Sequence, residues 1–304
     1  MSAADRDDEL LLTGRVVAAY GRQVIVEDPD RQRFRCKMKG KRMRPVCADD
    51  VEWRLEQVEG GDGVVTRILP RRSELARPDA RGRAEVIAAN ITQLVIVVAP
   101  KPAADLSLVD RYLVSAELIG VDAVVVANKN DLGSIDLRSF QQIDYATVSV
   151  CAKKPASLTA LTALMIDHTS IFVGQSGVGK SSLLNTMIPG LDSRTQTLSA
   201  SSGDGRHTTT ASMLHHLDNE GEVIDSPGVR DFAPPPISDR ELSAGFVEFR
   251  EPSTTCRFND CRHLSEPDCG VRLAVEKGQI STRRYDSYTH LLERLARINP
   301  DSYS

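Results

Sequence analysis

The segment GQSGVGKS, Gly174 to Ser181, carries glycines, a lysine and a hydroxyl at the spacing needed to hold a polyphosphate. It follows the apolar run SIFV and precedes SLLNTM, so strand, loop and helix start come in the order that this chemistry requires. Backbone N–H groups of Gly177 to Lys180 can wrap a β-phosphate, Lys180 can reach the β- and γ-phosphates, and the Ser181 hydroxyl can bind Mg²⁺. The candidate nucleotide-binding set is therefore Gly174, Gln175, Ser176, Gly177, Val178, Gly179, Lys180, Ser181 and Ser182, with Lys180 also a candidate catalytic residue. Asp225 ends a second apolar run, EVID, and fits the acidic residue that holds Mg²⁺ through water. Gly228, three residues on, can offer its N–H to a γ-phosphate.

A third element reads a base. In VVVANKND an apolar strand ends in Asn128, Lys129 and Asp131. An aspartate at that position can accept two hydrogen bonds from the N1–H and 2-amino edge of guanine, which adenine cannot supply. This element usually follows the phosphate loop, whereas here it precedes it. If the usual order of phosphate loop, switch threonine, D-x-x-G and guanine reader is closed into a ring and reopened before the guanine reader, the present order results. The sheet is unchanged and only the chain ends move, which is physically cheap where termini lie near each other at a surface.

Two further clusters carry chemistry. CRFNDCRHLSEPDC supplies Cys256, Cys261, His263 and Cys269, three thiolates and one imidazole, enough for a closed tetrahedral structural zinc site. Cys36, Cys47 and Cys151 read as small packing residues. RQRFRCKMKGKRMR places Arg31, Arg33, Arg35, Lys37, Lys39 and Lys41 at alternate positions, so an extended strand would present one basic face able to track a phosphate backbone. The plainer reading is an edge strand guarded against aggregation by its charges.

These residues need elements to position them. From Leu12 to about Leu69 short alternating runs broken by turns predict a small β-barrel. PRRSELARPDARGRAE, with its prolines and charges, reads as a linker. Beyond it continuous apolar strands alternate with helical periods, the pattern of a parallel sheet covered on both faces. Ser107 with Asp110 resembles a capping box at the first helix, and ASLTALTALMI is a helix candidate between two strands. APPPISD marks a boundary before a C-terminal helical stretch near YDSYTHLLERLARI. The 304 residues have a net charge of -4, so nucleic-acid binding would have to come from a local cluster. No signal peptide or membrane span is read, and the clustered cysteines favour a reducing cytosol.

The order Asn128-Lys129-Asn130-Asp131, Gly174 to Ser181, GRHTTT and Asp225-Ser226-Pro227-Gly228 resembles the circularly permuted GTPases, specifically the bacterial small-ribosomal-subunit biogenesis GTPases. VEW, PRRSELARP, AAN and the Cys/His cluster extend the resemblance over nearly the whole chain. It implies three domains: an OB-like RNA-binding barrel over 1–72, a circularly permuted α/β P-loop GTPase domain over 73–235, and a zinc-binding helical domain over 236–304. It also implies GTP hydrolysis with Mg²⁺, stimulated by the small ribosomal subunit and its rRNA, by a cytoplasmic monomer with one structural Zn²⁺. Val229 follows the D-x-P-G motif where many GTPases carry a water-orienting Gln, and the resemblance makes His207 the candidate for that role. A threonine from Thr208 to Thr210, with Thr209 as the choice, would sense Mg²⁺ and γ-phosphate.

This chain departs from the family at two places. SVCAKK only loosely matches the second guanine-contacting Ser-Ala element, leaving Ser149, Cys151 and Ala152 open. CADD stands before VEW where a Gly-Asp turn is expected. Two other functional classes fit parts of the pattern: a nucleotide-gated RNA-binding scaffold with negligible hydrolysis, and a P-loop ATPase or small-molecule kinase. Stimulated turnover separates the first from a GTPase, and competition by ATP the second.

Overall fold

The computed structural model describes residues 11–20, 23–40, 43–58, 61–78, 84–191, 212–226 and 237–298. Five strands open the chain: β1 (Leu12–Tyr20), β2 (Gln23–Glu27), β3 (Arg33–Met38), β4 (Asp50–Val58) and β5 (Gly61–Ile68). They pair in the order β1-β2-β3-β5-β4, and β4 returns to β1, so the sheet closes into a barrel with β3 and β5 parallel. Closure leaves no free edge on these strands. Trp53, Val16, Val26 and Val65 are fully buried inside it, and Phe34 packs 4.7 Å from Trp53 between ring centroids.

Alternation in β3 aims Arg33 and Arg35 outward and Cys36 inward, as expected of a basic face. Arg31 instead lies in the preceding turn with φ 61°, and Lys41 lies outside the described residues. At the departure before VEW, Ala48 adopts φ 67° in the left-handed region where glycine is favoured. Its N–H donates to Val16 O and its carbonyl accepts from Asn90 Nδ2, so tertiary bonds hold the turn that a glycine would adopt freely. Beside it the buried Asp49 carboxylate accepts two bonds from Arg71.

The segment read as a linker is a hairpin, β6 (Glu74–Pro78) paired with β7 (Ala84–Ala89). Leu75, Ala88 and Ala89 are fully buried, so burial overrides the local signal of prolines and charges.

Next come β8 (Gln93–Val98), α1 (Leu106–Ile119), β9 (Asp122–Ala127), α2 (Arg138–Gln141), β10 (Ala146–Ser149), α3 (Thr159–Ala163), β11 (Thr169–Val173) and α4 (Lys180–Met187). β12 (Met213–His216) and β13 (Glu222–Asp225) complete the sheet, whose order is β10-β9-β8-β11-β13-β12. All neighbours are parallel except β12, which runs antiparallel to β13. β8 and β11 are wholly buried and β9 is buried over its last four residues, as a sheet covered on both faces requires, whereas β10 at the edge is partly exposed. Asp105, not Ser107, caps α1, accepting from Leu108 N at 3.1 Å. The ASLTALTALMI segment yields a 3₁₀ turn, Pro155–Leu158, and the short α3.

The C-terminal region forms α5 (Asp239–Ala244), α6 (Arg250–Ser253), α7 (Gly270–Glu276) and α8 (Thr282–Ile298) around Phe246, Phe249 and Tyr288. Ser238 and Glu241 form a reciprocal capping box at α5. Asp110 of α1 is buried and bonds to Arg283 and Arg284 of α8, joining this module to the sheet. The barrel joins the opposite edge, where β1 pairs with β12 at Ala18 and Met213. Among the described residues no helix is long and apolar enough to cross a membrane.

Candidate guanine-nucleotide site

The parallel strands end together, and their outgoing loops meet at one edge. Ile96 is in register with Val173, and Val98 with Ala127, so the loops after β8, β9 and β11 leave side by side. Such a crevice beyond the carboxyl ends of parallel strands is where α/β sheets bind ligands. Gly174 and Gly179 both adopt positive φ, 136° and 98°. A Cβ on Gly174 would collide with Val97 O and one on Gly179 with Asn128 Nδ2, so only glycine lets the loop lie this close to its neighbours.

Within the loop Val178 is buried, while Ser176, Gly177, Ser181 and Ser182 are exposed. Gly179 precedes α4, whose first residue is Lys180, so the helix starts directly at the end of the loop. The Lys180 ammonium donates to Gly174 O at 2.5 Å and Gln175 O at 3.0 Å, which anchors it within the loop. Asp225 ends β13, one residue past the Ile171–Ile224 pairing, and so stands at the same edge.

Asn128 binds these parts together. It is 1% exposed; its Nδ2 donates to Val178 O at 2.9 Å, and its Oδ1 accepts from Ala152 N at 3.2 Å. Lys129, at φ 58°, sends its ammonium back over the loop to Gly177 O at 2.6 Å and Lys101 O at 2.9 Å. Asp131 follows in a 3₁₀ turn, Asn130–Leu132, with its carboxylate partly open to solvent. The hydrogen bond from the Cys151 thiol holds this carboxyl below the usual carboxylate range, with Lys153 adding to the effect. Residues separated by about fifty positions and in inverted order thus share one hydrogen-bonded framework.

The residues left open after β10 fall in different places. Ser149 lies within the ladder opposite Ala127, whereas Cys151 and Ala152 face the guanine motif. Thr186 of α4 donates to Ala152 O at 2.9 Å, fixing the segment from the other side. Cys36 and Cys47 are buried packing residues as expected. Cys151 is buried too, yet its sulfur lies 3.3 Å from Asp131 Oδ1, a role the packing reading missed. The available signal was its place after β10, matching that of Asn128 after β9. His207, Thr209 and Gly228 lie outside the described residues.

The Cys/His residues converge as their donor types suggested. One ligand atom from each of Cys256, Cys261, His263 and Cys269 lies within 4.8 Å of all the others. His263 turns Nδ1 toward Cys256 and Cys269, at 3.6 and 3.5 Å, and Nε2 toward Ser243 Oγ at 3.1 Å. A partner on the second ring nitrogen fixes which nitrogen faces a metal. Burial pulls His263 below its ordinary value, which favours the neutral imidazole that ligation needs. Burial and the neighbouring sulfurs push the Cys261 thiol up to about 12, a crowding of thiols that a divalent cation would relieve. Tyr285 and Tyr288 of α8 donate to His263 O and Arg262 O, tying the loop to the helical core. This donor set fits a metal ion.

Comparison with known proteins matches this architecture. A family model described as RsgA GTPase covers residues 68–234. The small ribosomal subunit biogenesis GTPase RsgA of Chromohalobacter salexigens is 44% identical over 307 residues, spanning 97% of this chain and 89% of that protein. Its counterpart in Azotobacter vinelandii is 43% identical, spanning 93% and 85%. Among solved structures, YjeQ from Thermotoga maritima superposes with a TM-score of 0.74 at 32% identity, covering 94% of this chain and 99% of that one. YloQ, described as a circularly permuted GTPase, gives 0.75 at 28% identity, covering 97% and 98%. With similarity running through barrel, nucleotide site and Cys/His module alike, the chain belongs to the RsgA GTPase family.

Proposed function

We propose that this chain is a GTP hydrolase that assists maturation of the small ribosomal subunit and is stimulated by that subunit. The observation that carries the reading is Asn128, which joins the guanine motif to the phosphate loop through Val178 O and to the third element through Ala152 N. An accidental Asn-Lys-x-Asp match has no reason to make those bonds. Family membership supplies the process.

In this reading Asp131 accepts from the guanine N1–H and 2-amino groups, and Asn128 and Lys129 hold the crevice in shape. The loop N–H groups from Gly177 to Lys180 receive the phosphates, and Lys180 exchanges its carbonyl partners for β- and γ-phosphate oxygens. Ser181 and Asp225 would hold Mg²⁺, which when bound neutralises charge developing between the β- and γ-oxygens. Gly228 meets the γ-phosphate, Thr209 senses it, and His207 orients the attacking water. His207→Ala then reduces stimulated turnover with little loss of GTP affinity, and undiminished turnover would remove His207 from that role.

The outward Arg33, Arg35 and Lys37 of the barrel give rRNA a phosphate-tracking face that positions without specifying sequence. Zn²⁺ in the Cys/His cluster is structural, since four protein ligands leave no open position. The divisions 1–72, 73–235 and 236–304 and a monomeric cytoplasmic state complete the proposal.

The test is GTP turnover by the full-length protein with and without purified small subunits, with Lys180→Ala as the inactive control and ATP as the competitor. Stimulation confined to GTP is the expected result. Slow turnover indifferent to the subunit supports the binding scaffold instead, and equal use of ATP sinks the guanine-specific reading.

A further inference from the structure

We propose that the C-terminal module clamps the guanine-reading side of the crevice, with Arg283 of α8 as a positioning residue that holds the corner between α2 and β10. The inference rests on the reading of Asp131 as the guanine-binding group.

Asp131 sits on open chain. Residues 131–134 are all exposed, and the first buried side chains beyond them are Leu137 and Phe140. Phe140 belongs to α2, which at four residues is too short to keep its shape without tertiary contacts. The chain then turns: Phe140 O accepts from Tyr145 N at 3.1 Å, and β10 begins at Ala146. β10 leads on to Ala152, whose N–H donates to Asn128 Oδ1. This corner is therefore the common root of the two loops that meet at the guanine motif.

Two cations of the C-terminal module reach the corner across α1. Asp110 and Glu117, two turns apart, lie on one face of that helix. Arg283 donates to Asp110 Oδ2 at 2.7 Å and to Ser139 Oγ at 3.4 Å, and its guanidinium lies over the Phe140 ring, 5.0 Å from the centroid. Arg250 of α6 donates to Glu117 Oε2 at 2.6 Å, and Glu117 Oε1 accepts from the Tyr145 hydroxyl at 3.0 Å. The grip thus falls on Phe140 and Tyr145, the two residues whose backbones close the corner. Joining the module to α1 needs only the buried Arg284, which bonds to both Asp110 and Glu248. That role does not account for a second arginine reaching past Asp110 to α2.

A loosened corner weakens the base-reading half of the site and spares the phosphate loop, whereas a general loosening weakens both. Full-length wild type, Arg283→Ala, Arg283→Met, Arg250→Ala and Asp131→Asn are compared by dissociation constants for GTP and for inorganic triphosphate, each with Mg²⁺. Inorganic triphosphate fills the phosphate loop alone. Hydrogen exchange is read over residues 130–150 and over 174–181. Arg283→Ala weakens GTP about three- to tenfold, the span for a residue that acts on a site without touching the ligand, and leaves inorganic triphosphate within about twofold of wild type. Exchange quickens over 130–150 and not over 174–181. Arg250, whose side chain is 56% exposed, gives a smaller loss in the same direction.

Asp110 keeps Arg284 when Arg283 is removed, so the alanine variant strands no charge. Arg283→Met fills the space over Phe140 without a cation and shows the same direction of change even if the alanine variant does not fold. Equal weakening of GTP and triphosphate, or lower stability with GTP affinity and exchange unchanged, overturns the proposal and leaves Arg283 as a tie between the module and α1. An Asp131→Asn protein that prefers GTP over XTP as strongly as wild type overturns the guanine reading beneath it.

Discussion

The nucleotide-binding sheet holds its C-terminal module and its barrel by seams of different character. On the α1 side, Arg284 is 1% exposed and bonds to Asp110 at 2.7 Å and to Glu248 at 2.6 and 2.9 Å, all shielded from water. On the β12 side, Arg15 bonds to Glu222 at 2.8 Å and His216 to Glu27 at 2.5 Å, with Arg15 and His216 roughly one-fifth to one-quarter exposed. Among the described residues β1 pairs with β12 at Ala18 and Met213, and the barrel is bridged to β7 at Cys47 and Ala88 as well. A buried ion pair that loses one partner strands a charge, whereas wet pairs exchange partners at small cost. The first seam joins the Cys/His module to α1 through dry ion pairs; the second joins the barrel to β12 and β13 through pairs whose cations reach solvent, although Glu27 is itself buried.

The largest effect is expected in the C-terminal module. Removing the proposed Zn²⁺ with a chelator, or replacing Cys269 by serine, should unfold this region, seen as lost protection of α7 and α8 in hydrogen exchange. Unchanged protection would deny the metal a structural role. Arg284→Ala should cost about 3–5 kcal/mol in denaturant unfolding, because Asp110 and Glu248 keep their charges without it. A loss near that of an exposed pair would erase the contrast between seams.

At the other seam Arg15→Ala should cost about 1 kcal/mol or less and leave GTP binding intact. A loss as large as that for Arg284 would show both seams to be rigid. The smallest effect concerns acid. Burial alone would raise the Glu27 carboxyl, but its bonds to His216 and Arg33 outweigh this and hold it below the ordinary value of 4.5. A depressed carboxyl contributes stability that is full above the unfolded-state value and is lost as pH falls through the folded one. The seam should therefore weaken below about pH 4.5, and Glu27→Gln should flatten that acid limb of a stability-against-pH curve.

Much of this was legible because phosphate and guanine chemistry leave residues at fixed spacing. Lys180, Asn128 and Asp131 were singled out by type and order, and the continuous apolar runs announced parallel strands. The Cys/His cluster was legible from its donor types, three thiols and an imidazole within one short segment. What escaped depends on contacts between distant segments. The β6–β7 hairpin was hidden by its prolines and charges, since only burial of Leu75 and Ala88 makes it a sheet. Ser107 looked like a cap, yet Asp105 took that place and Asp110 turned inward to Arg284. Arg31 belonged by alternation to the basic strand but fell in a turn. Cys151 was ambiguous because a buried thiol serves packing and hydrogen bonding alike, and sequence alone does not say where its sulfur points.

The claim that the inverted motifs build one guanine site is tested most directly by exchanging the base. Xanthine carries a 2-oxo group in place of the 2-amino group, so Asp131→Asn should weaken GTP binding and gain XTP binding, measured as the ratio of the two dissociation constants. A reversal of preference toward XTP is the predicted result. A variant that still selects GTP as wild type does would contradict the assignment of Asp131 and with it the rewired site.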